Sequence, residues 1–218
     1  MTEDIQKKIG QLLMIGFQGP TLTPEFQYFL ESHNIGGVVL FANNCVSLKQ
    51  LAELTTQLQA VKTSSPLLIA IDHEGGRVHR LPKPFTHFPA AAKIGRAWTK
   101  DPTTPWGFEV GKAMAQELGA VGIHLNFAPV LDVWTNPCNK VIGDRAYGNH
   151  FEIVARLGVQ MLQGLQEHGV AACGKHFPGH GDTDTDSHET LPHLIHNVRR
   201  IKTFEAIPRK TSASRRIV

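Results

Sequence analysis

Residues 67–76 read Leu-Leu-Ile-Ala-Ile-Asp-His-Glu-Gly-Gly. The first five are apolar without alternation, the pattern of a short strand buried on both faces. The run stops abruptly on two carboxylates and a glycine pair, and glycines let the backbone approach a ligand closely. The form recurs along the chain. Leu125–Leu131 is apolar apart from Asn126 and Asp132 follows; Val170–Gly174 is apolar and Lys175-His176 follow. Two earlier runs, Met14–Phe17 and Gly36–Phe41, are also of strand length. Helical spacing fills the intervals: Ile5–Met14, Pro24–Ser32, Leu48–Lys62 behind an N-cap at Ser47, Trp106–Leu118 and Phe151–His168. Strands that alternate with helices imply a parallel sheet covered by helices. A doubly wound sheet and a barrel both satisfy that order. Functional groups at the end of strand after strand favour the barrel. A dinucleotide fold calls for G-x-G-x-x-G after its first strand, and Gly16-Phe17-Gln18-Gly19 does not match. The expected fold class is therefore α/β, an incomplete (β/α)8 TIM barrel with about five of its eight units present.

Composition narrows the class further. The chain has 218 residues, 41% hydrophobic and 19% charged, as in an ordinary globular domain. A net charge of +3 with scattered Lys and Arg gives no footprint for nucleic acid. Cys45, Cys138 and Cys173 are far apart, odd in number and outside any C-x-x-C spacing, which argues against a disulfide framework and for a reducing compartment. The first ten residues hold no signal-peptide core, and no apolar run is long enough for a membrane span. A cytoplasmic location is the expectation.

Two segments carry chemistry. Lys175-His176-Phe177-Pro178-Gly179-His180-Gly181-Asp182, followed by Asp186-Ser187-His188, comes directly after a strand, and Pro and Gly make it a loop crowded with ionisable groups. Asp72–Arg80 pairs acceptors suited to sugar hydroxyls with an arginine donor. A metal reading of the first segment is weak. Pro178 and Gly179 prevent a helical His176–His180 pair. Asp182, Asp184 and Asp186 alternate as in a calcium loop, but Ser187 stands where glycine is needed and His193 where glutamate is needed. No metal and no cofactor are expected.

Together these segments resemble the signatures of glycoside hydrolase family 3 β-N-acetylhexosaminidases. Gly36–Phe41, Asn126–Val133, Gly143–Gly148 and Leu191-Pro192 are also similar to that family, and the resemblance covers about Ile5 to Pro208. It implies a (β/α)8 barrel that removes terminal β-linked N-acetylglucosamine from muropeptide fragments during peptidoglycan recycling. It implies further that Asp72, Arg80, Arg145, Lys175 and His176 contact the sugar. His188 is implied as general acid/base, paired with Asp186, while His180 supports the loop. An imidazole titrates near pH ~6.5, so it can donate and accept protons near neutrality. The implied partner is a small amino sugar or muropeptide, with no nucleic acid and no membrane, and the full-length family member is implied to be a monomer.

Retention needs a nucleophile, an aspartate on a later strand in this family, and no residue here matches it. The segment 1–208 reads as a partial barrel domain. From Arg209 to Val218 the family pattern and any apolar helical stripe stop, as after a frameshift. Three alternatives follow: an inactive fragment, a non-catalytic amino-sugar-binding module, and a β-glucosidase-like specificity. The loop with Asp186 and His188 argues against the last.

Overall fold

The computed structural model describes residues 3–183 and 196–213. The chain begins with helix α1 (Glu3–Gln11), strand β1 (Met14–Ile15) and helix α2 (Pro24–Ser32). Thr23 caps α2 by accepting the Phe26 N–H, and Pro24 sits in the first turn, where its missing N–H costs nothing. Strand β2 (Gly37–Leu40) leads to α3 (Leu48–Gln59), capped as expected by Ser47. Next come β3 (Leu68–Ile71), α4 (Ala91–Lys100), α5 (Trp106–Ala120), β4 (Leu125–Asn126), α6 (Phe151–Gln166) and β5 (Ala171–Ala172). Among the described residues the chain finishes with a short turn of helix, α7 (Val198–Arg200), a π turn over Ile201–Glu205, and α8 (Ile207–Ala213).

All five strands are parallel and lie in sequence order, β1-β2-β3-β4-β5. The longest pairing runs from Gly37 opposite Leu68 to Leu40 opposite Ile71. This is the arc of a β/α barrel that has not closed. Val38, Leu40, Ile69 and Ile71 are buried, and Leu51, Leu54 and Leu58 of α3 with Met114 and Leu118 of α5 pack in the same core. A second cluster joins Ile94 of α4 to Val154 and Leu157 of α6, with Val133 and Tyr147 between them.

Three sequence expectations change. The strand expected over Leu125–Leu131 pairs regularly only at Leu125–Asn126, because Pro129 has no N–H for the ladder. Pairing resumes as a single bridge between Val130 and Lys175. Helix α4 has no counterpart among the expected helices, since Gly95 interrupts its pattern and prolines precede it. Residues 209–213, the described start of the tail read as lacking a helical stripe, are helical: Pro208 and Ser212, four residues apart, are both buried in α8.

Candidate active site

The C-terminal ends of β3 and β5 face each other across one cavity. It measures 250 Å³ and is lined by Asp72, Glu74, Arg80, Arg145, Lys175 and His176, with Val78, Val141 and His180 beside them. The five residues expected to contact sugar are thus brought together from separate stretches of sequence.

The β3 segment is fixed by β4. Asn126 is fully buried; its Nδ2 donates to the His73 carbonyl at 2.8 Å, and its Oδ1 accepts the His73 N–H at 3.0 Å. Beyond it the chain doubles back through Gly75 (φ +90°) and Gly76 (φ +56°), conformations that a β-carbon disfavours. Asp72 and Glu74 are two apart and project to the same side. Lys175 Nζ meets both, at 2.5 Å from Asp72 Oδ1 and 2.7 Å from Glu74 Oε1.

Arg145 completes this ionic lattice. Its Nε and Nη2 each donate to Glu74 at 2.8 Å, a bidentate fork, and Nη1 donates to the Val141 carbonyl at 3.0 Å. Arg77 clamps the same loop from outside by donating to the carbonyls of Lys140 and Val141. Burial would raise the Glu74 carboxyl, but Arg145 and Lys175 outweigh it and hold Glu74 below the usual carboxylate range. Burial opposes the charge on Arg145 too, and Glu74 overcomes it. Arg80 lines the cavity, with its Nε buried and without a hydrogen-bond partner among the described residues.

His176 is held by Asp132, a fully buried acid in the segment after β4. Asp132 Oδ2 lies 2.6 Å from His176 Nδ1, and Oδ1 accepts the His180 N–H at 2.8 Å. The Lys175–His176 peptide bond is cis. Asp186 and His188, expected as the acid/base pair, lie outside the described residues. The described residues on either side of that segment are tied together: Asp182 Oδ2 is 2.5 Å from His196 Nε2, and Asp182 Oδ1 accepts from Thr135 Oγ1 at 2.6 Å. A wider groove of 680 Å³ among Trp98, Phe151, Arg156, Gln160 and Ile207 lies in the helical layer, away from the strand ends where these charges converge.

Sequence reasoning missed two residues of this site. Glu74 stood in the quoted segment without a role, although its two-residue offset from Asp72 was a usable signal. Asp132 was visible as a strand-end acid, but its partners come from residues 176–209 and no local pattern announces them.

The β/α arc agrees with what comparison with known proteins returns. A beta-hexosaminidase of Neisseria meningitidis serogroup C is 41% identical over 201 residues, covering 90% of this chain and 55% of that protein. A glycoside hydrolase family 3 beta-N-acetylglucosaminidase structure from Paenibacillus superposes with a TM-score of 0.92 at 39% identity, covering 100% of this chain and 41% of that one. NagZ from Neisseria gonorrhoeae, solved in complex with N-trifluoroacetyl-D-glucosamine, superposes with a TM-score of 0.86 at 38% identity over 93% of this chain and 60% of its own. The chain spans about half the length of the curated relatives it matches. The profile of the glycosyl hydrolase family 3 N-terminal domain matches residues 4–214, and the chain belongs to that family.

Proposed function

We propose that this chain forms the sugar-binding part of a retaining β-N-acetylhexosaminidase that releases terminal β-linked N-acetylglucosamine. The observation that carries the reading is the convergence of Asp72, Arg80, Arg145, Lys175 and His176 on one cavity. Carboxylate acceptors beside ammonium and guanidinium donors suit a ring of hydroxyls, each of which donates one hydrogen bond and accepts others. The lattice among Asp72, Glu74, Lys175 and Arg145 sets these groups before the sugar arrives, so little order is lost on binding. His188 acts as acid/base with Asp186 orienting its ring. A histidine that is neutral after giving up its proton avoids setting a second anion beside the nucleophile. The nucleophile lies outside these 218 residues. The substrates are muropeptide fragments, and the setting is cytoplasmic peptidoglycan recycling. No helix among the described residues is long and apolar enough to cross a membrane.

Calorimetry with N-acetylglucosamine tests the reading. The purified chain should bind the sugar, and Asp72→Ala should weaken binding by about tenfold or more through loss of a charged acceptor. A chain that is folded yet shows no heat of binding defeats the proposal. The same preparation should not hydrolyse a chromogenic N-acetylglucosaminide; measurable turnover overturns the placement of the nucleophile outside this sequence.

A further inference from the structure

Asp132 contributes no surface to the cavity, yet it grips the site's framework at several points. Its Oδ2 accepts from His176 Nδ1 at 2.6 Å and from the His176 N–H at 3.2 Å; its Oδ1 accepts from the His180 N–H and from Arg209 Nη2, both at 2.8 Å. We infer that Asp132 is a positioning residue of the sugar site, fixing His176 as a neutral imidazole protonated on Nδ1, and that Arg209 of α8 is its counter-charge.

The argument is one of donors and acceptors. An ionised carboxylate only accepts, so the hydrogen between Asp132 and His176 sits on Nδ1. On the other side of the ring, Nε2 lies 3.3 Å from Arg145 Nη2. A guanidinium only donates, so Nε2 must present its lone pair. The two contacts together specify one tautomer. An imidazolium, or the opposite tautomer, would aim an N–H at the guanidinium. His176 therefore presents its one Nε2 lone pair to Arg145, and a ligand hydroxyl that donates to this ring takes the place of the guanidinium N–H there.

Asp132 can play this part only if its own charge is satisfied in the interior. A buried unpaired carboxylate is costly, and a paired one needs its remaining lone pairs filled. Burial would raise the Asp132 carboxyl, but the hydrogen bonds from the His176 ring and the His180 N–H, with the charge of Arg209, hold it below its ordinary value. Arg209 does more than balance charge. Its Nη2 also donates to the His176 carbonyl at 2.5 Å, and Nη1 donates to the Glu205 carbonyl at 2.6 Å. His176 is thus gripped at its N–H and ring by Asp132 and at its C=O by Arg209, which couples α8 to the sugar cavity.

The inference rests on the proposed function only for what the cavity binds; the tautomer is independent of it. The test is a long-range proton–nitrogen correlation spectrum of the histidine-labelled 218-residue protein at about pH 7.5, above the ordinary histidine range, with His176 assigned by its loss in His176→Gln. The expected pattern is a protonated Nδ1 and an unprotonated Nε2. The reverse tautomer, or a doubly protonated ring, overturns the proposal. In Asp132→Asn, Oδ1 stays with the His180 and Arg209 donors, so the new amide N–H faces Nδ1 and drives the proton to Nε2. Its affinity for N-acetylglucosamine by calorimetry should fall by about tenfold or more. A folded Asp132→Asn variant that keeps the Nδ1 proton or full affinity overturns the role. Should that variant fail to fold, the spectrum of the unsubstituted protein still decides. A correct tautomer without sugar binding leaves the positioning role standing and removes the proposed function; binding with the wrong tautomer does the reverse.

Discussion

His73 shows at the scale of a single side chain how the strand-end segment divides its labour. It stands between Asp72 and Glu74 but points the other way, fully buried, with both ring nitrogens lacking hydrogen-bond partners among the described residues. Its ring packs 4.8 Å from that of His79 and edge-on to Phe88. Burial first, then the nearby His79, His87 and Arg80, push its pKa down to about 3. An unfolded histidine titrates near ~6.5, so between that value and the folded one the unfolded chain binds the extra proton. Stability should accordingly fall as pH drops through this window, by up to about 1.4 kcal/mol per pH unit from this group. Glu74 and Asp132, both held below the usual range, contribute stability that is present above the unfolded carboxylate pKa and lost only on acidification below about pH 4. The windows separate the causes. Urea midpoints measured down from neutral pH should decline well before the carboxylates titrate. His73→Phe, which abandons no hydrogen bond, should flatten that decline. An unsubstituted protein equally stable across the upper window contradicts the assignment. The same segment shows how much of the site could be read in advance. Strand-end position singled out Asp72, donor chemistry in the same segment singled out Arg80, the loop after β5 singled out Lys175 and His176, and Arg145 came only with the family resemblance. The charge partners that fix them, Glu74 and Asp132, depend on contacts between distant stretches, for which one sequence carries no periodic signal.

Between elements, the packing of α5 on α6 decides how closely the helical layer wraps the sheet. Gly111 of α5 faces α6 with no room for a side chain: a β-carbon there would lie 2.6 Å from the Met161 carbonyl oxygen and 3.0 Å from the Met161 sulfur. Gly119, further along the same helix, has nothing within 4 Å of the equivalent position. The two glycines should therefore respond oppositely to alanine. Gly111→Ala must displace backbone and should lose about 1–3 kcal/mol, as overpacked interiors do. Gly119→Ala removes only the conformational cost of glycine in a helix and should gain about 0.5–1 kcal/mol. Denaturant titration of the two variants checks the pair, and equal shifts would contradict this account of the helix contact. Spacing alone located α2, α3, α5 and α6 because each has an apolar stripe long enough to register, with Thr23 and Ser47 marking two starts. It failed for α4, where Gly95 replaces a stripe residue in order to meet the Tyr147 carbonyl. It failed again for α8, whose buried positions are Pro208 and Ser212, residues that no hydrophobic pattern counts.

At the scale of the whole molecule, the five parallel strands form an arc with β1 and β5 at its ends. Among the described residues β1 pairs only with β2, and β5 only with β4. Parallel sheets in β/α proteins are ordinarily covered on both faces or closed, because free strand edges present unpaired N–H and C=O groups that recruit other chains. The β1 side adds apolar surface to its edge. Leu12 is 85% and Tyr28 73% exposed, with Ile9 and Leu13 also exposed nearby. Those four residues belong to α1, α2 and the turn before β1, the elements that flank the edge strand in sequence. The isolated 218-residue chain should therefore self-associate as its concentration rises, through the β1 side and not through the charged cavity, whose carboxylates already hold cations. Sedimentation velocity over a range of concentrations should reveal species heavier than the monomer. Replacing Leu12 and Tyr28 together by lysine should suppress them, since charge on an edge opposes pairing and neither side chain supports the core. Sugar binding should survive that double substitution, because the cavity lies at the strand ends and takes nothing from α1 or α2. A chain that stays monomeric at every concentration, or one whose association is indifferent to the lysines, would place the β1 side outside any role in assembly.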